Sequence, residues 1–314
     1  MDQQLDQPVP RRRSYLWLWI IIGIFCLVLF VFIGMVAIGL SSLKGSNDSD
    51  AVEWSGSGGR VGVVELTGVI TSSKEFMQQI RRYYDDDSVK AIIVHIDSPG
   101  GGAAVSQEIY TELNQLRGSH KKPVVSSIES VGASGAYYVA AGTDKIYANA
   151  ASVVGSVGVI AEWVNYGDLM RWAKLKPVVL QAGKLKSAGD PSRDLTPEER
   201  AYMQGLVDDM HHQFIRDVAA GRHISEDQLK PLATGQVWTG EQAVPLKLID
   251  GVATYRQVVE RVGKQVGIGN NPTVITPEKR KRTAWDLVFG DVTDLLPNKL
   301  QTMRGDPGFF YLWR

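Results

Sequence analysis

Two short runs in this sequence place small residues where nucleophilic chemistry would need them. The first is Asp97-Ser98-Pro99-Gly100-Gly101-Gly102, which follows the apolar run 91–96 and precedes helical spacing from Ala104 to Leu116. Three consecutive glycines let backbone come close to a ligand, and N–H groups at a helix start attract an anion. Phosphate is one candidate, but neither a Gly-Lys-Ser/Thr sequence nor Rossmann spacing follows. An oxyanion is the other, and a plain strand-to-helix turn would need no ligand at all. The second run is Gly132-Ala133-Ser134-Gly135-Ala136-Tyr137-Tyr138, again between an apolar run and a small-residue helix. A serine on so sharp a turn exposes Oγ, and its own N–H can help to hold an oxyanion. The pattern approaches the nucleophile elbow, with Gly-x-Ser-Gly in place of Gly-x-Ser-x-Gly. A helix N-cap is the plainer use of such a serine.

A nucleophilic serine must have a base. The chain has five histidines. His95 falls in an apolar strand, His120 in a polar loop, and His211, His212 and His223 on or just past an amphipathic helix. None has a motif around it. Lysine is the alternative base, and Lys184 and Lys186 lie in the small-residue run Gln181-Ala182-Gly183-Lys184-Leu185-Lys186-Ser187-Ala188-Gly189, expected in a loop after a strand. Residue chemistry does not choose between them.

The elements that must position these residues alternate. Strands are expected from Val61, over 91–96, over 123–128 and over 145–148, with helices between them, as in right-handed βαβ units of a mostly parallel α/β sheet. Thr196-Pro197-Glu198-Glu199 reads as a capping box with proline at the first helical position, opening a helix to about Ala220. A last helix is expected over 255–266.

Location is written in the first forty residues. From Tyr15 to Leu40 no side chain is charged, which suffices for a transmembrane helix of about 20 residues. Arg11, Arg12 and Arg13 precede it, so the positive-inside rule keeps residues 1–14 in the cytoplasm and sends the rest across. A cleaved signal peptide is the competing reading, but its apolar region runs only about 7–15 residues. Residues 41–60, rich in Ser, Gly and Asp, read as a flexible linker, 61–268 as the catalytic domain, and 269–314 as a tail. Zero formal charge gives no whole-chain case for nucleic acid, and the single cysteine, Cys26, precludes a disulfide within the chain.

The order Ser-Pro-Gly-Gly-Gly, Gly-Ala-Ser-Gly-Ala-Tyr-Tyr, Gly155-Ser156-Val157-Gly158-Val159-Ile160, then Gly-Lys-Leu-Lys-Ser-Ala-Gly-Asp-Pro-Ser-Arg resembles the signal peptide peptidase A (protease IV) family in its short form. The resemblance covers residues 61–266. It implies the ββα-spiral of the Clp protease and crotonase superfamily, with Ser134 as nucleophile and Lys186, five residues before Pro191, as base. It also implies that Ser156 orients the lysine, and that Gly101 and Ser134 supply the backbone oxyanion hole. No metal or organic cofactor is required. The family further implies a ring-like homo-oligomer acting on signal-peptide remnants outside the bacterial cytoplasmic membrane. Apolar, extended peptides with small residues at the cleaved bond are the expected substrates. A crotonase-type acyl-CoA enzyme would rarely need a membrane anchor, and a non-catalytic scaffold would be expected to have lost Ser134 or Lys186.

Overall fold

Strand and helix alternate because the apolar pattern does. The computed structural model describes residues 23–27, 29–30, 50–277 and 308–313. Two compact units divide the chain, and every described residue from Asp50 onward belongs to the second. Its elements are β1 (Asp50–Trp54), β2 (Arg60–Ile70), α1 (Lys74–Asp85), β3 (Val89–Gly102), α2 (Ala103–Ser119), β4 (Val124–Ala133) and α3 (Gly135–Ala141). There follow β5 (Lys145–Ala148), β6 (Val153–Gly155), β7 (Ile160–Glu162), α4 (Gly167–Trp172), α5 (Pro197–Arg222) and α6 (Glu226–Leu229). Last come β8 (Val237–Thr239), α7 (Gly240–Ala243), β9 (Gly251–Val252), α8 (Tyr255–Gln265), β10 (Thr273–Pro277) and β11 (Gly308–Leu312).

These strands make one mixed sheet, in the order β1-β10-β2-β3-β4-β5-β9 with β6, β7, β8 and β11 attached beside it. The α/β expectation holds. The run from β10 through β2, β3, β4 and β5 to β9 is parallel. A parallel sheet is buried on both faces, so alternate residues serve different cores. Val61, Val63, Ala91 and Ile93 face Val258, Val259 and Val262 of α8. Val64, Ile92, Val94 and Ile96 face the other layer, with α1, α2, α3 and α5. Helix α1 buries Phe76, Met77, Ile80, Tyr83 and Tyr84, the spacing of one helical face. Gly62 is what lets Tyr83 lie flat on β2, since a Cβ there would stand 2.6 Å from the ring. The capping box at Thr196 and Glu199 is present, and α5 runs on to Arg222.

Several boundaries differ from the sequence reading, each because a neighbouring strand supplies partners that local composition does not reveal. β3 continues through Ser98-Pro99-Gly100-Gly101-Gly102, expected as a turn, because Val69 and Ile70 of β2 pair with Gly100 and Gly101. β4 likewise reaches Ala133, where residues up to Gly132 pair with β3 and Val131 to Ala133 with β6. Residues 50–54 of the expected linker form β1 against β10, and β10 and β11 come from the expected tail. No strand lies between Ala173 and Gly183 ahead of the two lysines.

Most of the apolar run 15–40 lies outside the described residues, as do residues 1–14, 41–49, the basic run 279–282 and the aromatics Trp285 and Phe289. Within that run, residues 23–27 and 29–30 are helical, with Phe25, Leu27 and Phe30 exposed. No helix among the described residues is long and apolar enough to cross a membrane.

Candidate active site

Ser134 stands where β4 leaves the sheet. Its backbone has φ 54° and ψ −120°, a conformation L-residues adopt only when their surroundings impose it. Two constraints impose it here. Ala133 pairs with Gly155 of β6, and the next residue on each strand, Ser134 and Ser156, turns away with the same φ of 54°. Helix α3 then begins at once, with Tyr138 N–H donating to Ser134 O at 2.9 Å. Ser134 is 1% exposed, and no side chain among the described residues hydrogen-bonds its Oγ. The register thus brings Ser134 and Ser156 together. Their backbone bonds are to Gly155 O (from Ser134 N, 2.7 Å) and Gln236 O (from Ser156 N, 2.8 Å).

The first of those bonds bears on the backbone donor expected at Ser134. A Ser134 N–H donating to Gly155 O is spent. The N–H beside it, that of Gly135, heads α3 and has no acceptor within the helix. It lies against the glycine end of β3: a Cβ built on Gly100 would stand 2.6 Å from Gly135 N, and one built on Gly135 would stand 3.1 Å from Gly101 N. The N–H groups of Gly101 and Gly135 thus lie close together, and neither position has room for a side chain. A Cβ on Gly101 would meet Ile70 O at 2.1 Å, and one on Gly135 would meet Ser106 Oγ at 2.4 Å. Only the fold says which of these amides is already taken, here that of Ser134 by Gly155 O.

Lys186 makes no hydrogen bond to Ser134 among the described residues. It is exposed on a turn where its own N–H donates to Gly183 O at 3.1 Å, and its ammonium has no hydrogen-bond or ion-pair partner among the described residues. Lys184 is committed elsewhere, to Glu198 at 2.5 Å. The turn itself is well fixed. Arg193 reaches Ser187 O and Oγ at 3.1 and 2.9 Å, and grips buried Glu199 at 2.6 and 2.8 Å.

The Arg193 hydrogen bond, helped by the Thr196 N–H, holds the Glu199 carboxyl down to about 2. A carboxyl depressed in the folded state stabilises it above its ordinary pKa, and that contribution fades as the pH falls from about 4.5 toward 2. Wild-type melting temperature is therefore expected to fall through that acid window. Glu199→Gln should melt lower at pH 7 and lack that component of the acid slope. An unchanged slope in Glu199→Gln would assign the acid sensitivity to other groups.

The comparisons with known proteins fit this geometry. The model for "Peptidase family S49" matches residues 117–269. A Synechocystis sp. protein provisionally named a protease is 34% identical over 251 residues, which cover 79% of this chain and 88% of that protein. The chain belongs to peptidase family S49. It is a serine peptidase. An Enterococcus faecium protein provisionally named signal peptide peptidase SppA is 27% identical to this S49 peptidase, across 79% of this chain and 80% of that protein. The chloroplastic serine protease SPPA of Arabidopsis thaliana is 29% identical, across 75% of this chain but only 35% of its own length.

Proposed function

We propose that this peptidase works through a Ser134–Lys186 dyad and degrades cleaved signal peptides and similar apolar peptides. Its place is the outer face of the bacterial cytoplasmic membrane, to which residues 15–40 anchor it. The observation that carries the reading is Ser134 itself. It is strained, its Oγ is unencumbered, and it lies beside a pair of backbone donors at Gly101 and Gly135. Oγ attacks a peptide carbonyl while the developing oxyanion is received by those N–H groups. The base takes the Oγ proton, returns it to the leaving amine, and then activates water against the acyl-enzyme. Ser156 stands beside Ser134 and serves to orient the lysine. The name of the Enterococcus faecium relative favours signal peptides as substrates.

An exposed Lys186 and a buried Ser134 in one chain favour a dyad completed between subunits. The segment before Lys186 exposes Trp172 at 81%, Val178 at 86% and Leu180 at 96%, an apolar surface suited to burial against another copy. In the ring-like homo-oligomer, Lys186 of one subunit then meets Ser134 of the next. Docking encloses the amine in the apolar surroundings a lysine base needs, since lysine in water keeps its proton at neutral pH.

Labelling by a serine-directed fluorophosphonate is the direct test. Wild type is expected to take one label per chain, found on the peptide that holds Ser134, and Ser134→Ala to take none and hydrolyse nothing. Persistent labelling and hydrolysis in Ser134→Ala would overturn the nucleophile.

A further inference from the structure

Two bulges set the Ser134 turn against the glycines of β3. From Ile92 to Ile96, β3 pairs with Val124 to Ile128 of β4 residue for residue. Then the register shifts: Ile96 to Ser98 is two steps on β3, while their partners Ile128 and Gly132 are four steps apart on β4. Regular pairing would have carried on to set Gly102 opposite Ser134. The two extra residues of β4 bring Ser134 level with Gly100 instead. The other edge of β3 has the converse irregularity. Thr67 and Val69 of β2 face Asp97 and Gly100, two steps against three, so the extra residue there is in β3. A bulge takes backbone groups off the ladder and re-aims the chain beyond it, and the freed groups must find other partners.

Asp97 and Ser98 supply those partners. Asp97 Oδ1 accepts the N–H of Val131, in the β4 bulge, at 3.1 Å. Ser98 Oγ accepts the N–H of Gly100, just past the β3 bulge, at 3.1 Å. This local serine turn goes with φ 100° at Gly100, a conformation that suits glycine. Ser98 is 0% exposed, and its hydroxyl makes no other hydrogen bond among the described residues. Neighbouring side chains of a strand point to opposite faces, so one dipeptide can serve both bulges. The remaining freed group, Glu129 O, accepts from Asn149 Nδ2 at 3.0 Å and Ser152 Oγ at 2.5 Å.

The two bulges meet at Gly100. A Cβ built there would stand 3.1 Å from Ala133 O and 2.6 Å from Gly135 N, where the Gly101 and Gly135 amides come together. Neither Asp97 nor Ser98 hydrogen-bonds Ser134 among the described residues, so any effect on the reaction passes through the backbone.

We propose that Asp97 and Ser98 are positioning residues that fix the separation between the oxyanion donors and the nucleophile. Ser98 holds the bulge that presents the Gly101 N–H, and Asp97 holds the bulge that presents Ser134. The proposal rests on the reading of Ser134 and its donor pair as the catalytic centre. A misplacement of about 1 Å at such a centre costs about 100-fold in rate.

The test is peptide hydrolysis, with rates normalised to the sites that fluorophosphonate labels at its end point. Ser98→Ala and Asp97→Ala are each expected to lower kcat by about 100-fold with KM little changed. Asp97→Asn keeps an oxygen that accepts from Val131 N–H and should recover most of the rate. In a Gly101→Ala background the donor is already displaced, so adding Ser98→Ala should cost little more, the mark of two residues acting through one group. Should Ser98→Ala fail to fold, the two Asp97 variants, at a partly buried position, decide the matter.

If Ser134→Ala is inactive but both alanine variants keep wild-type kcat per labelled site and merely melt lower, Asp97 and Ser98 serve the fold alone and the proposal falls by itself. Activity in Ser134→Ala would instead sink the catalytic reading first. Asp97→Asn as slow as Asp97→Ala would show that the charge matters and the bond to Val131 does not. Full additivity of Ser98→Ala with Gly101→Ala would overturn the route from Ser98 through Gly101.

Discussion

Lys186→Ala is expected to lower kcat by about 100- to 10,000-fold, the usual worth of a positioned base, while Lys184→Ala keeps most of the activity. The two lysines are two residues apart on one turn, and composition alone treats them alike. Their surroundings do not. Lys184 is paired with Glu198, whereas Lys186 extends into solvent from a turn that Arg193 and Glu199 hold in place. The sharper version of the test mixes two dead proteins. Subunits carrying Ser134→Ala hold an intact Lys186, and subunits carrying Lys186→Ala hold an intact Ser134. In a cyclic ring whose dyads form between neighbours, equal mixing restores roughly a quarter of the sites. Co-expressed and purified mixed oligomers should therefore recover about that share of wild-type kcat at unchanged KM. A mixture as inactive as its components would place both residues of the dyad within one chain. A dead Lys184→Ala beside an active Lys186→Ala would show that the base had been misassigned.

Gly101→Ala is expected to cost about 100- to 1,000-fold in kcat, the loss seen when one oxyanion donor is removed. The added methyl has nowhere to go, because it would stand 2.1 Å from Ile70 O and 2.5 Å from Ile70 N, both backbone atoms of the paired strand. β3 must shift to relieve the clash, and its N–H moves off the position it shares with that of Gly135. Substrate binding along the rest of the groove survives, so the effect falls on kcat more than on KM. Gly102→Ala, one residue on, is the control. Its nearest neighbour would be a side-chain methyl of Val105 at 3.5 Å, an ordinary contact. Comparable activity in Gly101→Ala and Gly102→Ala, with Gly101→Ala folded by circular dichroism, would remove Gly101 from the donor pair.

What could be read beforehand is what is written locally. Apolar runs with β-branched residues gave the central strands, and the Thr196–Glu199 capping box placed the start of the long helix at the residue observed. Glycine and serine crowded into 132–135 pointed to a sharp turn with an exposed Oγ. Ser134 does turn, with φ 54°, but the residue is 1% exposed because the surrounding elements close over it. No histidine hydrogen-bonds Ser134 among the described residues.

What the chain alone could not reveal depends on residues far apart along it. Whether an amide is a free donor depends on what faces it, and only the pairing of β4 with β6 shows that Ser134 N–H is taken by Gly155 while that of Gly135 is left. Gly100 to Gly102 form strand where a turn was expected, because β2 lends its edge from some thirty residues upstream. Residues 308–312 look like one more aromatic cluster by composition, since nothing within them specifies the edge they will pair with. By itself the sequence determined the family and the strand-helix order, because each rests on a contiguous pattern of side-chain types. The tertiary structure decided which amides face one another at Gly101 and Gly135, and the pairing of residues 308–312 with β3 and β7. Each of these is a matter of which backbone edge meets which, and that is settled only when the whole sheet has formed.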